Sequence, residues 1–461
     1  MKSQNGGIIM VRSVYKDKVF MRTLMTLAIP IILQNLISFS VSMADSVMLG
    51  FVGQDEMASV TLANSAFFVI NLLIFGFQSG ESVMISQYWG KKDNKSISRI
   101  LGVAWMCVLT VTISFSAFAI FNPYAVMRLF TNEAHLIEVG AKYVRAVAIA
   151  YPINAFNSLY IAAHRSMENT KLGLYVFASS AVINLLGNYI FIFGKLGAPQ
   201  LGVIGAAVGT VLARIVELTI IIIYIFANKH FRIDFAALFR PGINMMKDFI
   251  RYAMPVICNE TLWGMGFSTL TAIYGRLGSD VVAGLTICRT TENVFNVMAM
   301  ALGNASTVII GKQLGAGDKE RVTDTAKKLF TVTVLTSFVS ISLLLGLGKT
   351  VIGIFGFGEP TSTIAFSIMC VYAVRMIPQN ITMTMIVGVL RGGGDTRFAA
   401  FLDVVPLWAI SVASAAFLAF VVKAPYIYVF LPNFIEDCVK IFIGFRRFRS
   451  GKWINNITRE A

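Results

Sequence analysis

The stretch PIILQNLISFSVSMADSVMLG, residues 30–50, decides the class of fold, because its 21 residues include one charged side chain, Asp45. A helix of about 20 apolar residues crosses the roughly 30 Å of hydrocarbon in a bilayer. Similar stretches recur along the 461-residue chain, which is 56% hydrophobic and 14% charged, with a mean hydropathy of +0.72. A soluble fold cannot bury so much apolar surface. The sequence therefore predicts an all-α membrane protein.

The recurring apolar stretches predict about twelve transmembrane helices. We place them at residues 23–50, 56–87, 97–122, 134–163, 172–194, 201–227, 246–274, 280–310, 327–355, 361–390, 398–422 and 425–445. The basic N-terminus lacks the short apolar core and the cleavage site of a secretory signal peptide. We therefore expect the first span to act as its own insertion signal.

Lysine and arginine are sorted between alternate connections of these spans. The N-terminus, the even-numbered connections and the C-terminus hold 28 of them, from Lys2, Arg12 and Lys16 to Arg459, whereas the other connections hold five. Because basic residues accumulate on the cytoplasmic side, both termini are predicted in the cytoplasm of a multi-pass cell-membrane protein. The same sorting accounts for the net charge of +15 without any nucleic-acid partner.

Three other kinds of site are not indicated. The five cysteines fall within predicted spans and form no CxxC pair, so the sequence predicts neither a metal site nor a disulfide framework. The string LLLGLGKT, residues 343–350, has Leu343 where a nucleotide-binding loop needs its first glycine. No bound cofactor is expected.

An internal repeat divides the chain into two halves. Eight residues recur at a constant offset of 225, namely Pro30, Gly50, Gly53, Asp55, Ala58, Thr61, Gly90 and Asp93 with Pro255, Gly275, Gly278, Asp280, Ala283, Thr286, Gly315 and Asp318. The string RSMENTK (165–171) matches RGGGDTR (391–397) at an offset of 226. A constant offset over separated segments indicates duplication.

Each copy holds six predicted spans, so both enter the membrane from the same side and are parallel repeats. Such paired halves are typical of transporters. We predict an N-terminal six-helix lobe (1–227), a cytoplasmic linker (228–248) that includes Lys229 and His230, and a C-terminal lobe with a short basic tail (249–461).

Two acidic residues inside predicted spans are the first candidates for a functional site. Asp45 lies 15 residues past Pro30, and Glu260 lies five residues past the matching Pro255. An ionised carboxylate inside the bilayer costs roughly 2.5–3.5 kcal/mol, and such acids usually face cavities. Asp45 could bind a proton or a metal cation, or it could be a structural cap or pair. Glu260 could be a cation ligand or a packing acid.

Other polar residues within the spans have structural interpretations as well. Arg214 with Glu217, and Arg289 with Glu292, are three apart, so we expect each pair to neutralise itself. Asp395 precedes a new apolar run, where a helix N-cap belongs. Asn184 and Asn188 share a helix face and either join helices or line a cavity. Lys142, Arg145 and Arg375 have no partner that the sequence predicts.

The chain resembles the multidrug and toxic compound extrusion (MATE) family along nearly its whole length. The matching strings are SVMLGFVGQDEMASVTLA (46–63), SQYWGKKD (86–93), NLLGNYIFIFGKLGAPQLGVIGAAVGT (184–210), GKQLGAGD (311–318) and VLRGGGDTR (389–397). The 184–210 stretch and the spacing from Pro30 to Asp45 look most like the bacterial norfloxacin-exporter branch.

The resemblance implies two six-helix lobes around a central cavity that opens alternately to each side, driven by Na⁺ or H⁺. It puts Asp45 in the place of the family's first-helix aspartate. The family's seventh-helix glutamate falls about one turn beyond Glu260, where this chain has Trp263. An aspartate of the tenth span is replaced by Asn380, whose amide oxygen can bind Na⁺ but cannot carry a proton.

The expected function is therefore export of amphipathic, often cationic, small molecules by a monomeric antiporter. Asp45 and Glu260 are its predicted coupling residues, Asn184, Asn188, Asn380 and Trp263 are possible cavity residues, and Asp395 is a further candidate. One alternative is a flippase for lipid-linked oligosaccharides, which should have a strongly basic cavity. Another is an intramembrane transferase, which would need clustered acidic metal ligands that the sequence lacks.

Overall fold

The computed structural model describes residues 17–228, 231–354 and 358–459, and the described chain is almost entirely helical. The all-α prediction is confirmed. Lys2, Arg12 and Lys16 of the topology prediction, and Lys229 and His230 of the linker prediction, lie outside the described residues.

Eight helices form the first half of the chain. They are α1 (Lys18–Gly50), α2 (Gln54–Gly90), α3 (Asn94–Phe121), α4 (Pro123–Arg128), α5 (Ala134–Val147), α6 (Ala150–Ser166), α7 (Lys171–Phe193) and α8 (Val203–Ala227). A short helix, α9 (Phe235–Phe239), follows in the predicted linker. Asp234 caps α9, because its Oδ1 accepts a hydrogen bond from the backbone N–H of Ala237 at 3.0 Å.

The second half contains long helices interrupted by π-helical segments. They are α10 (Ile243–Tyr274), α11 (Ser279–Gly315), α12 (Lys319–Ile354), α13 (Glu359–Met383) with its π-helical continuation Thr384–Arg391, α14 (Thr396–Pro406), the π-helix Leu407–Val412, α15 (Ala413–Ala416), the π-helix Phe417–Val422, and α16 (Tyr426–Arg449).

Helical segments occupy all twelve predicted spans. Among the described residues, nine are long and apolar enough to cross a membrane, and there are ten if the bent pair α5 and α6 is one span. The other two predicted spans coincide with α10 and α16, which have 32 and 24 residues. These two helices carry some of the buried charged side chains described below, namely Glu260 on α10 and Glu436, Asp437 and Lys440 on α16.

The helices repeat with the offset found in the sequence. Gln54–Gly90 and Ser279–Gly315 both have 37 residues and are 225 apart at each end. The turns that follow each contain a residue with positive φ, Lys92 at 62° and Gly317 at 85°. The duplication therefore extends to the conformation of the connections.

The fourth predicted span is bent rather than straight. Its two parts, α5 and α6, meet at an angle of 50°. Pro152 lies just inside α6 and cannot donate a hydrogen bond to the carbonyl of Ala148 four residues earlier. That carbonyl accepts instead from the backbone N–H of Tyr151 at 3.1 Å and from the Ser116 hydroxyl at 2.8 Å. The bend thus follows from a proline whose effect a hydropathy profile does not show.

Contacts between residues divide the chain into two compact units. The N-terminal unit comprises Pro30–Ile85 and Lys92–Ile257, and the C-terminal unit comprises Ser86–Lys91, the residues from Cys258 onward and the described residues before Pro30. These units follow packing, whereas the predicted lobes 1–227 and 249–461 follow the repeat. The lobe boundaries stay a prediction.

Small residues allow close helix packing in the N-terminal unit. A Cβ on Gly187 of α7 would lie 3.0 Å from the Cα of Gly209 of α8. Because lipid is as apolar as leucine, membrane helices associate through such close backbone contacts. The contact sets the orientation of α7 relative to α8, and therefore the positions of Asn184 and Asn188 on α7.

Candidate functional site: a polar cavity in the N-terminal unit

A cavity of about 390 Å³ lies inside the N-terminal unit. Six helices, α1, α2, α5, α6, α7 and α8, contribute to its wall. Its polar lining consists of Ser38, Ser42, Asp45, Asn64, Asn71, Tyr143, Tyr151, Ser180, Asn184, Thr210, Arg214 and Glu217. A volume of this order is sufficient for a small organic molecule.

Asp45 is on the wall of this cavity and is bound by an amide. The Nδ2 of Asn188 donates a hydrogen bond to Asp45 Oδ1 at 2.6 Å and lies 3.3 Å from Asn184 Oδ1. The Oδ1 of Asn188 is buried without a hydrogen-bond partner among the described residues, against Gly209. The structure therefore brings together three of the residues selected from the sequence.

The opposite side of the cavity adds amides and hydroxyls. Asn64 Oδ1 accepts a hydrogen bond from the Tyr143 hydroxyl at 3.3 Å, and Asn71 Oδ1 accepts one from Asn154 Nδ2 at the same distance. Asn64 and Asn71 are seven apart on α2 and share one face of that helix. Sequence reasoning missed both, although two amides at helical spacing in an apolar span were a usable signal.

Aromatic side chains form the apolar part of the lining. Phe67 is stacked on Tyr151 with ring centroids 5.1 Å apart, and Phe68 and Phe177 also line the cavity. Such rings offer flat apolar surface to a ligand, while the polar groups fix its orientation.

Arg214 and Glu217 form the ion pair that their spacing predicts. Arg214 Nη1 lies 2.6 Å from Glu217 Oε1, and Asn157 Nδ2 donates to Glu217 Oε2 at 3.2 Å. The second pair is different, since Arg289 donates to Thr271 Oγ1 at 2.9 Å and lies over the ring of Phe267. No ion pair between Arg289 and Glu292 occurs in the described chain, so that expectation is wrong.

Glu260 has an arginine partner in the C-terminal unit. Arg391 Nη2 lies 2.8 Å from Glu260 Oε1, and the arginine side chain is only 2% exposed. Arg391 is the last residue of the π-helical continuation of α13. π-Helical segments are frequent at functional sites, and here the segment ends at the residue that contacts α10. A cation at Glu260 must therefore compete with a guanidinium.

A chain of buried charges continues from there through the C-terminal unit. Asp403 accepts hydrogen bonds from Asn259 at 3.1 Å and from Lys440 at 2.8 Å, and Lys440 also lies 2.6 Å from Glu436. Ser411 donates to Glu436 as well. Most of these groups have partners far away along the chain, which is why the sequence did not reveal the network.

Arg375, which had no predicted partner, belongs to the same unit. Its Nε lies 2.8 Å from Asp437 Oδ2, and both side chains are largely buried. Of the other two basic residues, Lys142 pairs with Glu138 one turn earlier at 3.0 Å, and Arg145 donates to the carbonyl of Ile120 on α3 at 3.2 Å.

The remaining candidates belong to the C-terminal unit and are not among the lining residues of the cavity described above. Asn380 is buried and donates to Ser337 Oγ at 2.9 Å. Trp263 is 37% exposed and stacks on Phe267. Asp395 precedes α14 as predicted, but its carboxylate makes no capping hydrogen bond. It accepts from Arg447 Nε at 2.7 Å instead, because a guanidinium is the stronger donor.

These features define a class of protein, a duplicated all-helical membrane transporter with a polar site inside the bilayer. The family model MatE matches the chain twice, at residues 30–190 and 253–415. The chain therefore belongs to the MatE family. Members of this family are multidrug efflux transporters rather than enzymes, and they act on small molecules.

Relatives and solved structures agree with this assignment. The "Probable multidrug resistance protein NorM" of Thermotoga maritima is 25% identical over 402 residues, which cover 84% of this chain and 83% of the relative. A crystal structure of MATE in the bent conformation has a TM-score of 0.84 at 17% identity, covering 94% of this chain and 96% of the other. One in the straight conformation has a TM-score of 0.83 at 18% identity, covering 93% and 96%.

Proposed function

We propose that the chain exports amphipathic small molecules in exchange for Na⁺ or H⁺, and that Asp45 is the principal coupling residue. The observation that carries the proposal is a carboxylate in the wall of an apolar and aromatic cavity, held by Asn188 at 2.6 Å. A cation bound there removes the negative charge that a cationic substrate would need. Cation and substrate then exclude one another.

Oxygen atoms around Asp45 suit either coupling ion. The second carboxylate oxygen of Asp45 and Asn184 Oδ1 are hard ligands of the kind that Na⁺ prefers, whereas H⁺ coupling requires only protonation of the carboxylate. Coupling also requires that cation and substrate favour different conformations. One positive charge moving down 100 mV supplies about 2.3 kcal/mol for that cycle.

Glu260 is proposed as a second, weaker coupling residue. A transported cation can replace Arg391 as the partner of the Glu260 carboxylate. Cation binding at Glu260 therefore requires that Arg391 move away from it. Asn380 and Trp263 are proposed to have packing roles rather than to bind the cation, because Asn380 donates to Ser337 Oγ and Trp263 stacks on Phe267.

We further propose that both termini are cytoplasmic and that a monomer is the functional unit. The sorting of 28 basic residues against five supports the orientation. A lipid-linked oligosaccharide flippase is less well supported, since among the described residues the cavity lining has one basic side chain, Arg214, which is paired with Glu217.

Dye uptake into inside-out vesicles tests the proposal. Ethidium accumulation is measured with Na⁺ and pH gradients imposed separately, which also identifies the coupling ion. Asp45→Asn should abolish gradient-driven uptake while leaving the amount of inserted protein unchanged. Asp55→Asn is the matched control, because Asp55 is 68% exposed and outside the cavity. Full uptake by Asp45→Asn would remove Asp45 from the mechanism.

A further inference from the structure

Arg214 places a guanidinium in the same cavity as Asp45. The arginine side chain is 24% exposed, whereas that of Glu217 is 2% exposed. Both residues line the cavity, with Arg214 one turn beyond Thr210 on α8. The cavity therefore presents one acid and one base to a ligand, and the base is the more accessible member of its own ion pair.

Each carboxylate oxygen of Glu217 has a hydrogen-bond donor, whereas most donors of Arg214 have no acceptor among the described residues. Oε1 of Glu217 accepts from Arg214, and Oε2 accepts from Asn157. Asn157 also donates to the backbone carbonyl of Arg214 at 3.2 Å, which ties α6 to this turn of α8. A guanidinium has five N–H donors. In the described chain, Arg214 makes its one hydrogen bond through Nη1 to Glu217.

The surplus donors are suited to an anionic group. An arginine fork matches the two oxygens of a carboxylate, and it remains charged at any physiological pH. Glu217 and Asn157 hold the fork in place, so little side-chain entropy is lost when a ligand binds. Phe67, Phe68 and Phe177 supply aromatic surface in the same cavity.

We propose that Arg214 recognises an anionic group of the transported compound, so that the chain prefers aromatic zwitterions and other carboxylate-bearing amphipaths over cations of equal size. This inference rests on the proposed export function and names its substrate class. The cationic part of such a compound pairs with Asp45, and its carboxylate pairs with Arg214. A cation without a carboxylate leaves the surplus donors of Arg214 unused.

Rhodamine 110 and rhodamine 123 test this preference, because rhodamine 123 is the methyl ester of rhodamine 110. The two dyes share one cationic ring system and differ in a free carboxylate. Binding to the purified full-length protein is measured by fluorescence polarisation. The unaltered protein should bind rhodamine 110 about tenfold more tightly, as one charge-assisted contact allows.

Three variants separate recognition from folding. Arg214→Gln with Glu217→Gln removes both charges and leaves no unpaired buried acid, so it should bind the two dyes equally and still bind rhodamine 123. Arg214→Lys keeps the charge but loses the fork, and it should retain part of the preference. Arg145→Gln is the matched control, since Arg145 is outside the cavity, and it should keep the full preference.

Equal affinity of the unaltered protein for the two dyes would overturn the inference, as would an equal loss of both dyes in the double variant. Transport is measured separately in vesicles. Preferred binding of rhodamine 110 without gradient-driven uptake of either dye contradicts the export function and leaves the recognition by Arg214 standing.

Discussion

Gly90 and Gly315, which occupy equivalent positions in the two repeats, pack reciprocally against each other's helices in the C-terminal unit. A Cβ on Gly90 would collide with the carbonyl oxygen of Lys312 in α11, and a Cβ on Gly315 would collide with that of Gln87 in α2. The duplicated glycine is thus explained by a backbone contact that admits no side chain at either position.

Gly315→Ala should destabilise the protein strongly, because the obstacle is backbone that cannot rotate away. We expect a loss of about 1–3 kcal/mol or more, the range for overpacking that forces a backbone shift. The thermal midpoint of the purified protein in detergent measures it. Gly346→Ala is the control, since a Cβ there meets nothing within 4 Å, and it should be neutral. Equal midpoints for the two variants would contradict the close approach.

Asn188→Ala should weaken cation binding more than it weakens folding. The substitution removes the hydrogen bond that orients Asp45 and a buried amide beside it. We expect a rise of about tenfold in the half-saturating cation concentration, as the loss of one charge-assisted hydrogen bond implies. Gradient-driven dye uptake against cation concentration measures this rise.

Thr219→Ala provides the control for Asn188→Ala. Its hydroxyl bonds only the carbonyl of Ile215 in its own helix, and the residue is outside the cavity. Cation dependence should match that of the unaltered protein. An unchanged half-saturating concentration in Asn188→Ala would show that Asn188 is not part of the cation site.

Much of the fold could be predicted because each membrane helix is a local apolar signal and the repeat has a constant offset. The irregular segments could not be predicted from the sequence, since they depend on the loss of single backbone hydrogen bonds. The π-helix Leu407–Val412 begins directly after Pro406, whose missing N–H disrupts the regular ladder. Pro152 and the bend at Ala148 are a second case.

The candidate site was predictable only in part. Asp45, Asn184 and Asn188 were identifiable as polar groups in apolar stretches, and the structure places them together. The partners of Glu260 and Arg375 were not identifiable, because Arg391 and Asp437 are 131 and 62 positions away in the chain. Pairing over such distances is a property of helix packing, which one sequence does not reveal.

The Arg375–Asp437 pair should be costly to break and less costly to remove. Asp437→Asn leaves a buried guanidinium without its counter-charge, and such single changes cost about 3–5 kcal/mol. Replacing both residues, Arg375 by methionine and Asp437 by leucine, should recover part of that loss, since neither member of this pair is then left without its counter-charge. Thermal midpoints of Arg375→Met, Asp437→Leu and the double variant give the coupling. Additive losses would show that the two groups do not interact.

Asp17 should make the start of α1 sensitive to acid. Its Oδ2 accepts from Lys328 Nζ at 2.8 Å and its Oδ1 from the N–H of Phe20 at 3.0 Å. The hydrogen bond from Lys328 and that from Phe20 hold the pKa of Asp17 below its usual range. Since the folded pKa is depressed, this stabilisation is complete above the unfolded value of about 4 and is lost as pH falls through the folded value.

Hydrogen exchange in the first turns of α1 measures that sensitivity. Asp17→Asn should increase exchange at pH 7, and the difference from the unaltered protein should vanish in acid, once Asp17 is protonated. Asp324→Asn is the control, because Asp324 also pairs with Lys328, at 2.7 Å, but is 61% exposed. Exposed pairs contribute little. A difference at pH 7 that persists unchanged in acid would mean that charge at Asp17 does not hold this helix end in place.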